Sequence, residues 1–329
     1  MVGGGHWNGR NVNVIIISRK LLERFSTAPQ YVSTFHTFTT FHLLRISQFL
    51  RMTDRIAKVI ARSGLCSRRA AEKLLTQANV THNGIPVTHP SYTLLATNDT
   101  HYASIHINGV PLEPPPAIRL WQYYKPLSVI CTANDPENRP TVIDAFQNST
   151  SVASNGSIGS DRVMPVGRLD INTEGLLLVT NNGELKRRLE LPRSNMERVY
   201  MARVYSSLGG EVKQKALDTL LMGAEVDGVK YGPIVALKKA GVGGNPLEQQ
   251  QEGGGGGKNA WVEVRLSEGK NREVRKALDS LGYKVNKLKR LSFGEFELGK
   301  MKSGEIREVE RRVVEEFMCS ATEYKVVLK

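Results

Sequence analysis

The chain has 329 residues, 40% of them apolar, enough for about two packed cores, so its composition is neither that of a disordered chain nor that of a membrane protein. A formal charge of +13 and a pI near 9.7 point to a polyanionic partner, although an import signal would supply part of that charge. Cys66, Cys131 and Cys319 are far apart, odd in number and without metal-ligand spacing, which argues against a disulfide framework or a cysteine-based metal site and for a reducing compartment.

Residues 1–53 carry six basic residues (Arg10, Arg19, Lys20, Arg24, Arg45, Arg51) and one acid (Glu23), so they contribute +5; the remaining 39 basic and 31 acidic residues still give +8. This segment is rich in Ser, Thr and Arg, the composition of a mitochondrial transit peptide, and a mitochondrial location is expected. The alternative is a plain extension, or initiation at Met52 giving a cytosolic form. Its apolar patch "VNVIIIS" falls far short of the ~20 residues that span a bilayer.

"DRIAKVIARSGLCSRRAAEKLLTQANVTHNGIPV" then predicts two short helices and a hairpin. Ile56, Val59 and Ile60 have helical spacing and Gly64 stops the first helix; Ser67 is placed to cap the second, whose stripe is Ala70, Ala71, Leu74 and Leu75. Asn83-Gly84 is a strong hairpin signal. The result is a small α/β module over 54–113. Its residues resemble the small RNA-binding domain shared by a ribosomal small-subunit protein, some tRNA synthetases and many RNA-modifying enzymes. Arg55, Lys58, Arg62, Arg68 and Arg69 crowd one end and are expected to face phosphates, the plainer reading being a solvated helix face.

The stiff "LEPPP" at 112–116 marks a boundary, and a larger unit follows over 117–329. "RLWQYYKPLSVICT" predicts a strand, a Lys-Pro break and a second strand; "NDPENRPTVIDAF" predicts a turn and a short helix. Low-complexity insertions are expected at 148–160 and 241–258. Between and after them the pattern predicts helices at "ELKRRLELP", "GGEVKQKALDTLLMG" and "NREVRKALDSLG". Strands are predicted at "ERVYMARVY", "YGPIVALKKA", "AWVEVRLSE", "KVNKLKRLSFGEFEL" and "GEIREV". That order describes an α+β domain on a mostly antiparallel sheet.

One acid is oddly placed. In "VGRLDINTEGLLLVTNNGEL", Asp170 lies in a polar loop directly before a continuous apolar run, which predicts a buried strand starting just after the acid.

"GRLDINTEGLLLVTNNGEL", "LWQYYKPLSVICTANDPENRPTV" and "EGKNREVRKALDSLGYKVNKLKRLSFGEFELGKMKSGEIREV", in their order after the small module, resemble the bacterial ribosomal small-subunit and large-subunit pseudouridine synthase family over most of residues 54–310. The resemblance implies isomerisation of uridine in structured RNA. The N1–C1′ bond breaks, the base turns and it rejoins through C5, with no cofactor, metal or second substrate. Ribosomal RNA is the expected partner and tRNA the alternative; no membrane partner is implied and a monomer is expected.

By the same resemblance Asp170 is catalytic, either as nucleophile at C1′ or as the base removing the 2′ proton. Arg275 pairs with it and keeps it charged, since an acid shielded from water would otherwise become neutral. Tyr200 stacks on the target base, and strand alternation puts it on one face with Ala202. Arg168 is expected to hold the extruded nucleotide. Lys270 and Arg272 are expected to contact the RNA backbone, and Leu288 or Leu291 to supply an apolar contact. Two departures stand out: Arg198 where lysine often precedes the tyrosine, and Glu273 where glutamine is common, an extra carboxylate expected to compete for Arg275.

Other functions fit less well. A catalytically idle RNA-binding or ribosome-assembly factor on this fold predicts loss of the acid. A glycosidase needs two carboxylates, and Glu174, the only neighbour of Asp170 in the loop, is expected at the surface. A nuclease or methyltransferase would want a carboxylate cluster or a glycine-rich cofactor loop after a strand.

Overall fold

The structure is a computed structural model that describes residues 53–95, 99–132, 135–149, 162–239 and 259–320. The expected leader up to residue 52, nearly all of the 148–160 insertion and all of the 241–258 insertion lie outside these residues.

In the small module, strand β1 (Thr53–Arg55) leads into helix α1 (Ile56–Arg62), which ends before Gly64. Helix α2 (Arg68–Thr76) starts where Ser67 accepts the Ala70 N–H at 3.1 Å, the expected cap. Strands β2 (Val80–His82) and β3 (Ile85–Pro86) pair His82 with Ile85 across Asn83 and Gly84. Both turn residues have positive φ, 52° and 77°, as a primed hairpin turn needs. Strands β4 (Thr93–Leu95), β5 (Ile105–Ile107) and β6 (Val110–Pro111) complete one two-stranded and one four-stranded sheet. Ile56, Ile60, Leu75 and Ile105 are fully buried in their common core.

The larger unit is built on one nine-stranded sheet. Its first strands are β7 (Leu120–Lys125), β8 (Met164–Val166), β9 (Glu174–Thr180) and β10 (Arg198–Ser206). After the hairpin of β11 (Ala224–Val226) and β12 (Val229–Tyr231), which stands outside this sheet, come β13 (Val235–Lys239) and β14 (Ala260–Leu266). The last are β15 (Tyr283–Phe293), β16 (Phe296–Glu297) and β17 (Ile306–Glu308). The main order is β13-β14-β10-β15-β9-β7-β17, with β16 on β15 and β8 on β9. Among the described strands of this sheet only β9 and β15 run parallel, through Glu174 with Lys289 and Gly175 with Arg290.

Both faces of the sheet are covered, which explains why "LLLV" is a continuous apolar run. Leu177 and Val179 of β9 face a core closed by α3 (Val142–Gln147), α5 (Gln214–Leu217) and α6 (Glu273–Asp279). Leu176 and Leu178 face the other, closed by α4 (Gly183–Glu190) and α7 (Arg311–Ser320). Each such fully buried side chain contributes about 1.5–3 kcal/mol.

Three local expectations differ from the structure. The second strand after Lys125-Pro126 reduces to a single bridge, Ile130 with Thr141, because Ser128 turns the chain with a φ of 64°. The helix expected over 209–223 is α5 followed by a 3-10 turn, Asp218–Met222, whose tighter winding brings Leu217 and Leu220 into the same core. The strand expected over 231–240 breaks after Tyr231, since Pro233 has no N–H to donate to a ladder.

Candidate active site

Asp170 opens a turn held from three sides. Its carbonyl accepts the Thr173 N–H at 3.0 Å, and the Ile171 carbonyl accepts the Ser128 N–H at 3.0 Å. The Asn172 carbonyl accepts Nη2 of Arg275 at 2.8 Å, and the Thr173 carbonyl accepts Nζ of Lys125 at 2.8 Å. Every backbone oxygen from 170 to 173 thus has a partner. Strand β9 begins at Glu174, as expected.

Two guanidinium groups reach that carboxylate. Arg272 Nη1 lies 3.5 Å and Arg275 Nε 3.8 Å from Asp170 Oδ2. The second contact is an ion pair without a hydrogen bond, and Arg275 Nε is buried with no hydrogen-bond partner. Burial pushes the Arg275 guanidinium below its usual range and Arg272 adds to this, while Asp170 acts the other way. Arg272, expected on the RNA backbone, is therefore also a partner of the acid, at the left-handed residue that starts α6.

Glu273 does not compete for Arg275. Residues two apart on a helix face different ways, and Oε2 of Glu273 accepts the Lys270 N–H at 2.9 Å at the start of α6. Burial pushes its carboxyl above the usual range, against the Lys270 hydrogen bond and with help from the nearby Glu268 charge.

Tyr200 is 9% exposed on the inner face of β10, with Ala202 on the same side, as alternation requires. Asp170, Tyr200 and Arg275 line one cavity of about 910 Å3, together with Arg168, Lys270 and Arg272. Seven cationic side chains and four carboxylates contribute to its walls, which suits a polyanion entering as a single nucleotide. Leu288 is in the wall and Leu291 is not, because a bulge on β15 turns Leu291 away from the register with β10. Lys270 also bonds the Lys230 carbonyl and pairs with Glu268, so part of its charge is compensated within the protein.

None of the five basic residues of the small module lines this cavity. Lys58 and Arg62 both bind Asp54, at 2.6 and 2.5 Å, and Arg68 lies 3.6 Å from Glu72. Arg55 and Arg69 are exposed. Lys58, Arg62 and Arg68 thus share their charge with neighbouring carboxylates. Glu174, expected at the surface, accepts a hydrogen bond from the Tyr124 hydroxyl at 3.0 Å.

Lys125 and Arg290 were not singled out from sequence. Lys125 is fully buried and its ammonium is pushed down by that burial, yet it reaches the turn from below. Arg290 is 2% exposed and lines the cavity. The available signal was parity: Arg290 shares a strand face with Leu288, so a cation was due on the inner side of β15.

The site is thus an acid on a clamped turn within cationic walls, on an α+β sheet that follows a small module. The family model described as RNA pseudouridylate synthase matches residues 119–280, and that of the S4 domain matches residues 54–100. An RNA pseudouridine synthase of Rickettsia bellii is 40% identical over 262 residues, covering 79% of this chain and 98% of that protein. A ribosomal large subunit pseudouridine synthase B of Salmonella typhi is 34% identical over 249 residues, covering 76% of each. A crystal structure of a pseudouridylate synthase, 22% identical, aligns over 80% of this chain with a TM-score of 0.49. On the strength of the Rickettsia and Salmonella relatives the chain belongs to the RNA pseudouridine synthases, enzymes that isomerise uridine in RNA.

Proposed function

We propose that the chain converts a specific uridine of ribosomal RNA to pseudouridine, with Asp170 as the reacting carboxylate and without a cofactor. The observation that carries this reading is the Asp170 turn itself, whose carbonyls are all engaged while its carboxylate faces the cavity between Arg272 and Arg275. A carboxylate at ion-pair distance from two guanidinium groups has the charge surroundings that both attack on C1′ and removal of the 2′ proton use. Ribosomal RNA as substrate is supported by relatives named for the ribosomal large subunit. Tyr200 stacks on the base, Arg168 holds the extruded nucleotide, and the small module grips flanking RNA. The chemistry is an isomerisation, so no atom enters or leaves.

The experiment is a map of pseudouridines in total RNA from cells with the wild-type protein and with Asp170→Ala. One ribosomal site should disappear in the variant; an unchanged map would end the reading, and loss of a tRNA site would redirect it. The composition of residues 1–53 supports mitochondrial import. Fusing them to a fluorescent reporter tests that, with diffuse cytosolic signal as the contrary result.

A further inference from the structure

Strand β15 lies between the strand that follows the Asp170 turn and the strand that carries Tyr200. Arg290 is the register partner of Gly175 on β9 and of Tyr200 on β10. Residues directly opposite in a sheet lie on the same face with Cβ atoms about 5 Å apart, so the Arg290 side chain starts beside Tyr200. It then crosses toward β9, where its Nε donates to the Leu176 carbonyl at 2.7 Å.

The charge of Arg290 has no local answer. Among the described residues no carboxylate lies within ion-pair distance of it, and its Nη2 is buried without a hydrogen-bond partner. The Phe293 ring, centred 5.3 Å from its guanidinium carbon, is shared with Arg198, another cation. A buried, unpaired cation costs stability unless something else compensates it. Arg290 lines the same cavity as Asp170, so the missing negative charge would come from whatever occupies that cavity.

We propose that Arg290 is a catalytic cation that balances the negative charge developing on the uracil ring when the N1–C1′ bond opens. This rests on Asp170 being the reacting carboxylate. As the bond breaks, its electron pair stays on the ring and spreads over N1, O2 and O4. C1′ is met by the Asp170 carboxylate or relieved by loss of the 2′ proton. After the ring turns, C5 bonds to C1′ as the Asp170–C1′ bond breaks or the 2′ proton returns, the C5 proton departs to a base and N1 takes up a proton. The ring is anionic only between these steps, so a fixed cation beside it stabilises the transition state more than bound RNA.

The test uses the full chain in excess over total RNA from Asp170→Ala cells, with pseudouridine formation read at the mapped site as a function of enzyme concentration. Arg290→Met should lower the maximal rate by about a hundredfold, the scale of losing one preorganised electrostatic contact. Its half-saturating concentration should stay within about threefold, because ground-state binding is not what it supplies. Arg290→Lys, which keeps the charge, should recover at least about tenfold of that rate. The melting temperature of Arg290→Met should lie within about 4 °C of wild type, since the charge removed was uncompensated.

The proposal is overturned if Arg290→Met turns over at near the wild-type rate, or if its loss appears in half-saturation, which would make it a ground-state phosphate contact. It is equally overturned if both variants lose rate and melting temperature together, which would make Arg290 structural. Asp170→Asn, assayed in parallel, separates the underlying reading: full activity there removes the carboxylate's role whatever Arg290 does.

Discussion

Asp170 Oδ2 and Arg275 Nε stand 3.8 Å apart, inside ion-pair range and beyond hydrogen-bond length. The same arginine spends its other nitrogens on the carbonyls of Val285 and Asn172. Arg275 thus both fixes the turn and stands at ion-pair distance from its acid. Asp170→Asn, equal in shape, should lose at least about a thousandfold in turnover while RNA binding holds. Arg275→Lys should keep the charge but lose the fork that holds Asn172, and fall by about tenfold to a hundredfold. Single-turnover assays with parallel filter binding separate the two effects.

Lys125 predicts a quieter loss. Its Nζ donates to the carbonyls of Thr173 and Pro126 from a fully buried position. Lys125→Met leaves the Thr173 carbonyl without its charged donor, a contact worth about 1.5–3 kcal/mol. Turnover should fall by about tenfold, and the melting temperature by a few degrees at most, because burying the ammonium was itself unfavourable.

Gly175 is required by the backbone. Its φ is 107°, and a Cβ there would lie 2.3 Å from the Arg290 carbonyl oxygen. Gly175→Ala must part β9 from β15 and should cost about 3 kcal/mol or more. A chemical denaturation curve with an unchanged midpoint would contradict the close approach of these strands.

Glu273 gives a pH signature. Its carboxyl is held above the usual range in the folded chain by burial, so the folded state keeps a proton that the unfolded state has released. Stability should therefore fall as pH rises from the ordinary carboxyl value, about 4.3, through the raised one. Glu273→Gln removes this dependence. Melting temperatures at pH 5 and pH 7.5 check it: the variant should gain on wild type at the higher pH.

Arg69 and Arg62 should behave differently in the small module. Arg69 is exposed, and Arg69→Ala is expected to weaken RNA binding and reduce the salt slope by about one. Arg62 binds Asp54, whose carboxyl is opposed by burial yet held below the usual range by Lys58 and Arg62. Arg62→Ala should mainly lower stability. Binding titrations between low and moderate salt distinguish them.

Much of this was legible in local pattern. The Ser67 cap, the Asn83-Gly84 hairpin and the buried strand after Asp170 depend on neighbours in the chain, so the sequence carried them directly. Alternation placed Tyr200 inward, and the resemblance of the Gly-Arg-Leu-Asp block supplied the reaction. Local pattern misjudged the helix over 209–223, because its winding depends on packing partners distant in sequence.

The sequence by itself determined the element order, the acid before its strand and the positive charge. Only the tertiary structure decided which further cations gather at the site. Arg272 joins Arg275 at the acid, Lys125, 45 residues before it, holds the Thr173 carbonyl, and Arg290 sits on another strand. The place of Arg290 is set by the β15 register, which puts Gly175 and Tyr200 on either side of it. Register is a property of strand pairing, where every side chain's face depends on the partner strand as well as on its own sequence.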